Sequence, residues 1–162
     1  MKERLWLTPI AGLATLLTLS ACSESQPPRE AAIPNPGVTA PALLRQPAPT
    51  GAAVYFVSPE DGATLSNPIL VQFGLRNMGV APAGVAQPDT GHHHLLIDRE
   101  LEQMGLPVPA DEQHLHFGGG QTQTTLVLTP GEHTLQLVLG DYLHIPHDPP
   151  VASARITINV VE

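Results

Sequence analysis

From residue 53 onward the chain alternates apolar and polar positions in short runs, each stopped by a turn signal. Residues 54–58 make the first run, closed by Pro59-Glu60-Asp61-Gly62. In 69–74, Ile69, Val71 and Phe73 share one face. Further runs follow at 92–98, 114–117, 122–128 and 133–139, the last with Leu135, Leu137 and Leu139 on its inner side. Residues 152–161 close the series, with Ala154, Ile156, Ile158 and Val160 on one face. A period of two is the signature of a strand with one buried face. About seven such runs, separated by Gly- and Pro-rich turns, predict an all-β fold, an immunoglobulin-like antiparallel β-sandwich. A small open barrel is the alternative. No segment keeps a 3.6-residue period, so helices are expected to be minor. Residues 100–113, with Gly105, Pro107 and Pro109, read as a long loop.

The first 52 residues follow a different pattern. Lys2 and Arg4 precede an apolar run over 5–19, which is shorter than the roughly 20 residues that span a bilayer. The run ends at Leu19-Ser20-Ala21-Cys22, with small residues where a signal peptidase cuts. The cysteine at that point resembles a bacterial lipobox, which implies a diacylglyceryl thioether on Cys22 and cleavage just before it. Residues 1–21 are therefore expected to be a signal peptide. Residues 22–52 read as a lipidated cysteine followed by a tether. This segment carries Pro27, Pro28, Pro34, Pro36, Pro41, Pro47 and Pro49 and has no aromatic residue. Such a composition cannot bury enough apolar surface to offset the cost of ordering. At about 3 Å per residue in extended form, it reaches up to ~90 Å. Residues 53–162 form the expected domain. The location implied is the bacterial cell envelope, lipid-anchored and facing the periplasm, on the outer membrane where the host has two.

Charge narrows the partners. The chain has 7 basic and 15 acidic residues; removing Lys2, Arg4 and Glu3 with the leader leaves 5 and 14. No lysine follows Lys2. A nucleic-acid partner is not expected, because no basic patch exists to neutralise phosphates. Anchoring to the membrane rests on the lipid for the same reason. Cys22 is the single cysteine, so the chain has no internal disulfide and no cysteine-based metal site.

All 8 histidines lie between positions 92 and 147, as His92-His93-His94, His114-Leu115-His116, His133 and His144-Ile145-Pro146-His147. On a strand, alternate side chains share a face. His92 and His94 therefore point one way, and His93 points the other way with Leu95 and Ile97. His114 and His116 also share a face. Imidazoles two residues apart can converge on one ion, and imidazole is a common ligand of zinc and copper. The metal-ligand candidates are His92, His94, His114, His116, His144 and His147, with zinc or copper as the expected cofactor. Met78 and Met104 read as core filling rather than ligands to Cu(I). His133 follows a turn and reads as structural, and His93 as a core residue. The alternative function is a non-metal binding or interaction module of the cell envelope with structural histidines. An enzyme is the weakest reading. No Gly-x-Ser-x-Gly turn is present, and Gly118-Gly119-Gly120 lacks the lysine and helix of a phosphate loop. Catalytic residues are expected to be absent.

Several segments carry a family resemblance. These are 78–84, 91–98, His116-Phe117-Gly118 with Gly120-Gln121-Thr122, Pro130-Gly131 with 133–137, and Gly140-Asp141 with 144–147 and Pro149-Pro150-Val151. They resemble the bacterial domain-of-unknown-function family 4399. The resemblance covers nearly all of the expected domain and none of the tether. It carries over onto His92, His93, His94, His116, His144 and His147, and less clearly onto His114. It implies no activity.

Overall fold

The computed structural model describes residues 44–162; the expected signal peptide, Cys22 and most of the expected tether lie outside them. The described residues form a β-sandwich with no helix. The strands are β1 (Ala53–Ser58), β2 (Thr64–Ser66), β3 (Ile69–Arg76), β4 (Gly79–Val80), β5 (Thr90–Ile97), β6 (His114–His116), β7 (Gln123–Leu126), β8 (Gly131–Gly140) and β9 (Ile156–Val161). One sheet has the order β1-β3-β7; the other runs β2-β9-β8-β5-β4, with β6 also paired to β5.

The seven strands expected from the apolar pattern are present. Two more, β2 and β4, are three and two residues long and join the large sheet in parallel, to β9 and β5. The sandwich is therefore mostly, but not wholly, antiparallel. Neither short strand is long enough to carry a period-two apolar signal; each lies at the margin of the sheet, and only Leu65 of β2 packs against the core. Ala154 is exposed and lies before β9; the buried residue in that stretch is Ser153, whose hydroxyl accepts from Leu137 N–H at 2.9 Å.

The core lies between the two sheets. Ile69, Val71 and Phe73 from β3 meet Leu135, Leu137 and Leu139 from β8 and Ile156, Ile158 and Val160 from β9. Leu70, between the first two, is 47% exposed, so the alternation decides which side of β3 reaches the core. The central strand β5 departs from that rule. Its residues are buried on both faces from Gly91 to Ile97. His93, Leu95 and Ile97 face the core; Leu96 on the other side packs with Val138, Val108 and Leu101. The outer face of a sandwich sheet is usually solvated. Here the loop after β5 roofs it, contributing Leu101 and Val108.

His93 is a polar residue in the apolar layer. Its ring lies 5.2 Å from that of Phe73, which in turn is 4.9 Å from Phe117. Neither ring nitrogen has a partner in hydrogen-bond geometry. Burial lowers its pKa to about 4, against a weak opposing pull from the Gln121 backbone. The unfolded chain thus takes up this proton first, and His93 withdraws stability as the pH falls from about 6.5 towards 4, by up to about 3 kcal/mol. His93→Leu is expected to be neutral or stabilising at pH 7, since an unsatisfied polar group is replaced by an apolar one. Its denaturant stability should decline less than that of the wild type between pH 6.5 and 4, measured as the slope of unfolding free energy against pH. An equal slope would show that His93 is not the group that titrates.

Candidate metal centre

Strand pairing assembles the site. His94 lies opposite His116 across the β5–β6 ladder, and opposite Val138 across β5–β8. His92 is opposite Gly140. Residues directly opposite one another on one face have neighbouring side chains. The rings of His94 and His116 stack with centroids 5.1 Å apart, and His92 is 4.9 Å from each of them. His144 enters from the loop after β8, at 4.9 Å from His92, 4.7 Å from His116 and 5.9 Å from His94. Four imidazoles thus gather on the outer face of the large sheet. His92, His94 and His116 each present a nitrogen within 4.8 Å of the other two.

Two glycines leave the rings their space. A Cβ on Gly140 would lie 2.9 Å from His94 Nε2 and 3.2 Å from the His144 backbone. A Cβ on Gly118 would lie 2.4 Å from His116 Cε1. The loop that supplies His144 is built by Asp141. One oxygen of this buried carboxylate accepts from Leu143 N–H at 2.8 Å and Ile145 N–H at 3.0 Å, while His144 N–H donates to the Asp141 carbonyl at 2.9 Å. His144 sits at φ 68°, a left-handed conformation that non-glycine residues adopt only where the surroundings impose it.

The hydrogen bonding of the buried pair is incomplete. His92 and His94 are both fully buried. Their Nε2 atoms face each other at 3.1 Å, and Nδ1 of each is buried without a partner. Burial, then repulsion from neighbouring imidazoles, lowers the pKa of His92 to about 4 and that of His94 to about 2. His116 is lowered by burial and by His144. At neutral pH these three rings are uncharged, with lone pairs available for coordination. His116 is exposed, so the cluster opens to solvent on that side.

The remaining histidines are not part of this group of four, although His147 borders it. His114 shares the His116 face, as the alternation predicts, but it is opposite Leu96, two residues further along the ladder. Its Nδ1 is 2.9 Å from Asp111 Oδ1, which holds the ring away from the cluster. His147 is buried beside His92, with Nδ1 at 3.4 Å from the Leu139 carbonyl. His133 pairs with Asp98 at 2.7 Å, and the same carboxylate accepts from Thr134 N–H. Asp98 raises the His133 pKa, consistent with a structural contact. Met78 packs against the core, and Met104 lies in the loop after β5. Asp141, Gly118 and Gly140 escaped the reading of the sequence. The one available signal was Gly140-Asp141 standing between a strand and a histidine pair.

The family described as "Domain of unknown function (DUF4399)" matches residues 71–161, a span that contains all the histidines and leaves out β1 and β2. No curated protein and no solved structure matches the chain.

Gly140→Ala should disturb the centre without replacing a candidate ligand. The added methyl meets the His94 ring and the His144 backbone, and overpacking of this kind costs about 1 to 3 kcal/mol. The expected result is a lower melting temperature together with shifted imidazole resonances of His94 and His144. A variant with unchanged melting and unchanged histidine signals would show that the loop yields freely.

Proposed function

The chain belongs to the DUF4399 family, whose description names no activity, and from the histidine cluster itself we propose that the domain binds one divalent ion, zinc or copper, through His92, His94, His116 and His144. The observation that carries the reading is the facing pair of Nε2 atoms at 3.1 Å in a fully buried setting. Two nitrogens bound to one tetrahedral ion at 2.0–2.1 Å stand about 3.3 Å apart. Polar side chains buried for structural reasons are normally hydrogen-bonded. These two have only their contact with each other. An all-imidazole set suits zinc and divalent copper, whereas Cu(I) favours thiolate and thioether ligands, which the cluster lacks.

The reading places the domain at the cell envelope. Its support is the sequence over 1–22: a charged start, a short apolar run and Ser20-Ala21-Cys22. Lipidated Cys22 would hold the protein on the membrane, with the domain facing the periplasm.

Calorimetric titration with zinc and with copper tests the metal assignment. His92→Ala with His94→Ala should weaken binding by more than about 100-fold, since even changes outside the ligand set cost 10- to 100-fold. His114→Ala should change it by less than about 3-fold, because that ring belongs to Asp111. Binding should also survive mild acid. A free imidazole, with its pKa near 6.5, yields to protons between about pH 7 and 5. With His92 lowered to about 4 and His94 to about 2, protons compete for these two ligands only at lower pH, so the fall in affinity between pH 7 and 5 should be shallower than for a set of free imidazoles. A wild-type protein that takes up neither ion, or a double variant that binds as well as the wild type, refutes the proposal. It would leave the histidines to a ligand pocket without metal.

Anchoring is tested separately. Cys22→Ser should either block processing or release the processed protein to the soluble fraction, because no basic patch or long apolar span follows it. Membrane retention of a processed Cys22→Ser protein would count against lipidation.

A further inference from the structure

Residues 45–48, which composition assigns to the tether, are hydrogen-bonded to the end of the loop that carries His144. Pro47 and Asp148 form a parallel bridge. Ala48 N–H donates to the Asp148 carbonyl at 3.0 Å, and Asp148 N–H donates to Gln46 at 2.8 Å. Arg45 adds the side-chain contacts. Its Nε donates to the Pro146 carbonyl at 2.9 Å, a second guanidinium nitrogen donates to the His147 carbonyl, and the third stands 3.3 Å from the Asp148 carboxylate. A planar guanidinium can serve three acceptors in this way; a lysine ammonium cannot match the same fork.

His144 is the member of the cluster that needs such support. His92, His94 and His116 are fixed by strand ladders, whereas His144 sits on a loop and is the farthest from His94. Its left-handed backbone must be imposed from outside. Asp141 acts at the start of the loop, and Val108 N–H donates to the His144 carbonyl at 2.8 Å in the middle. The far end, Pro146 to Asp148, is held by the entering chain.

We infer that residues 45–48 form a strap, centred on Arg45, that positions the metal ligand His144, so that retention of the ion depends on the segment through which the chain enters the domain. The inference rests on the metal reading above. Arg45 is a positioning residue: it acts through the loop and touches no ion.

The test loads the full chain with zinc and follows its loss to a chelator. Arg45→Ala should speed zinc loss about 10-fold, in the range seen when a group supporting a ligand is removed. Arg45→Lys should fall between the two and serves as the working variant if the alanine form does not fold. Arg155→Ala, which breaks an exposed pair with Glu100, should match the wild type. In a His144→Ala background the Arg45 effect should vanish, because the strap then has no ligand to hold. Without zinc, the Val108 amide should exchange faster in the Arg45 variants. Equal zinc loss by wild type and Arg45 variants overturns the strap, as does an Arg45 effect that persists undiminished without His144. A wild type that binds no zinc or copper fails earlier, at the metal reading, and takes the strap with it.

Discussion

The pairing of β5 with β6 and β8 is the constraint on which the rest depends. Its register is set by apolar side chains: Leu95 opposite Leu137, and Ile97 opposite Leu135, must both face the core. A slip by one residue would turn these leucines outward and bring His92 and His94 in. The energy that fixes the site therefore comes from the opposite face of the strand. The same register puts His94 beside His116 and places His92 over Gly140, where no side chain competes for the space.

A sheet face carrying three imidazoles would ordinarily be wet. Two loops cover the part that holds His92 and His94. The loop after β5 lays Leu101 and Val108 against Leu96 and Val138, and the loop after β8 brings Ile145, fully buried, together with His144. Burial of His92 and His94 lowers their pKa values and leaves Nδ1 of each without a hydrogen-bond partner, while His116 stays exposed at the open side. Both consequences suit coordination and suit little else. A polar cluster meant to tie loops together would be expected to bond to those loops, yet the loop bonds here run through Asp141, Val108 and Arg45 instead. The scaffold and the candidate ligands are thus chemically separate sets of residues. Ligands could change without dismantling the loop, and the loop could loosen without losing the strand ligands.

The same logic keeps three of the histidines out of the cluster. His93 lies on the core side of β5 and His133 on a carboxylate. His114 lies two pairs along the ladder from His116 and is taken by Asp111, three residues away. Each is kept out of the cluster by a partner or by strand parity. Proximity in the sequence is a poor guide where a single step along a strand reverses the side and two steps move a side chain by nearly 7 Å.

Periodicity alone determined much of this protein. Alternation in 69–74 and 133–139 marked the strands and their inner faces, and it separated His93 from His92 and His94, because side-chain direction in a strand is a local property of the backbone. Local signals were silent for β2 and β4, whose two or three residues are too few to show an apolar alternation and are held by parallel pairing to β9 and β5. They also placed residues 45–48 in the tether, since their partners, 146–148, lie about a hundred residues away and composition records nothing of a remote hydrogen bond. The candidate ligands divide the same way. His92 with His94 was legible as a pair. That His116 and His144 join them, while His114 and His147 do not, depended on strand order, on an aspartate-built turn and on two glycines that only the folded chain brings against the rings.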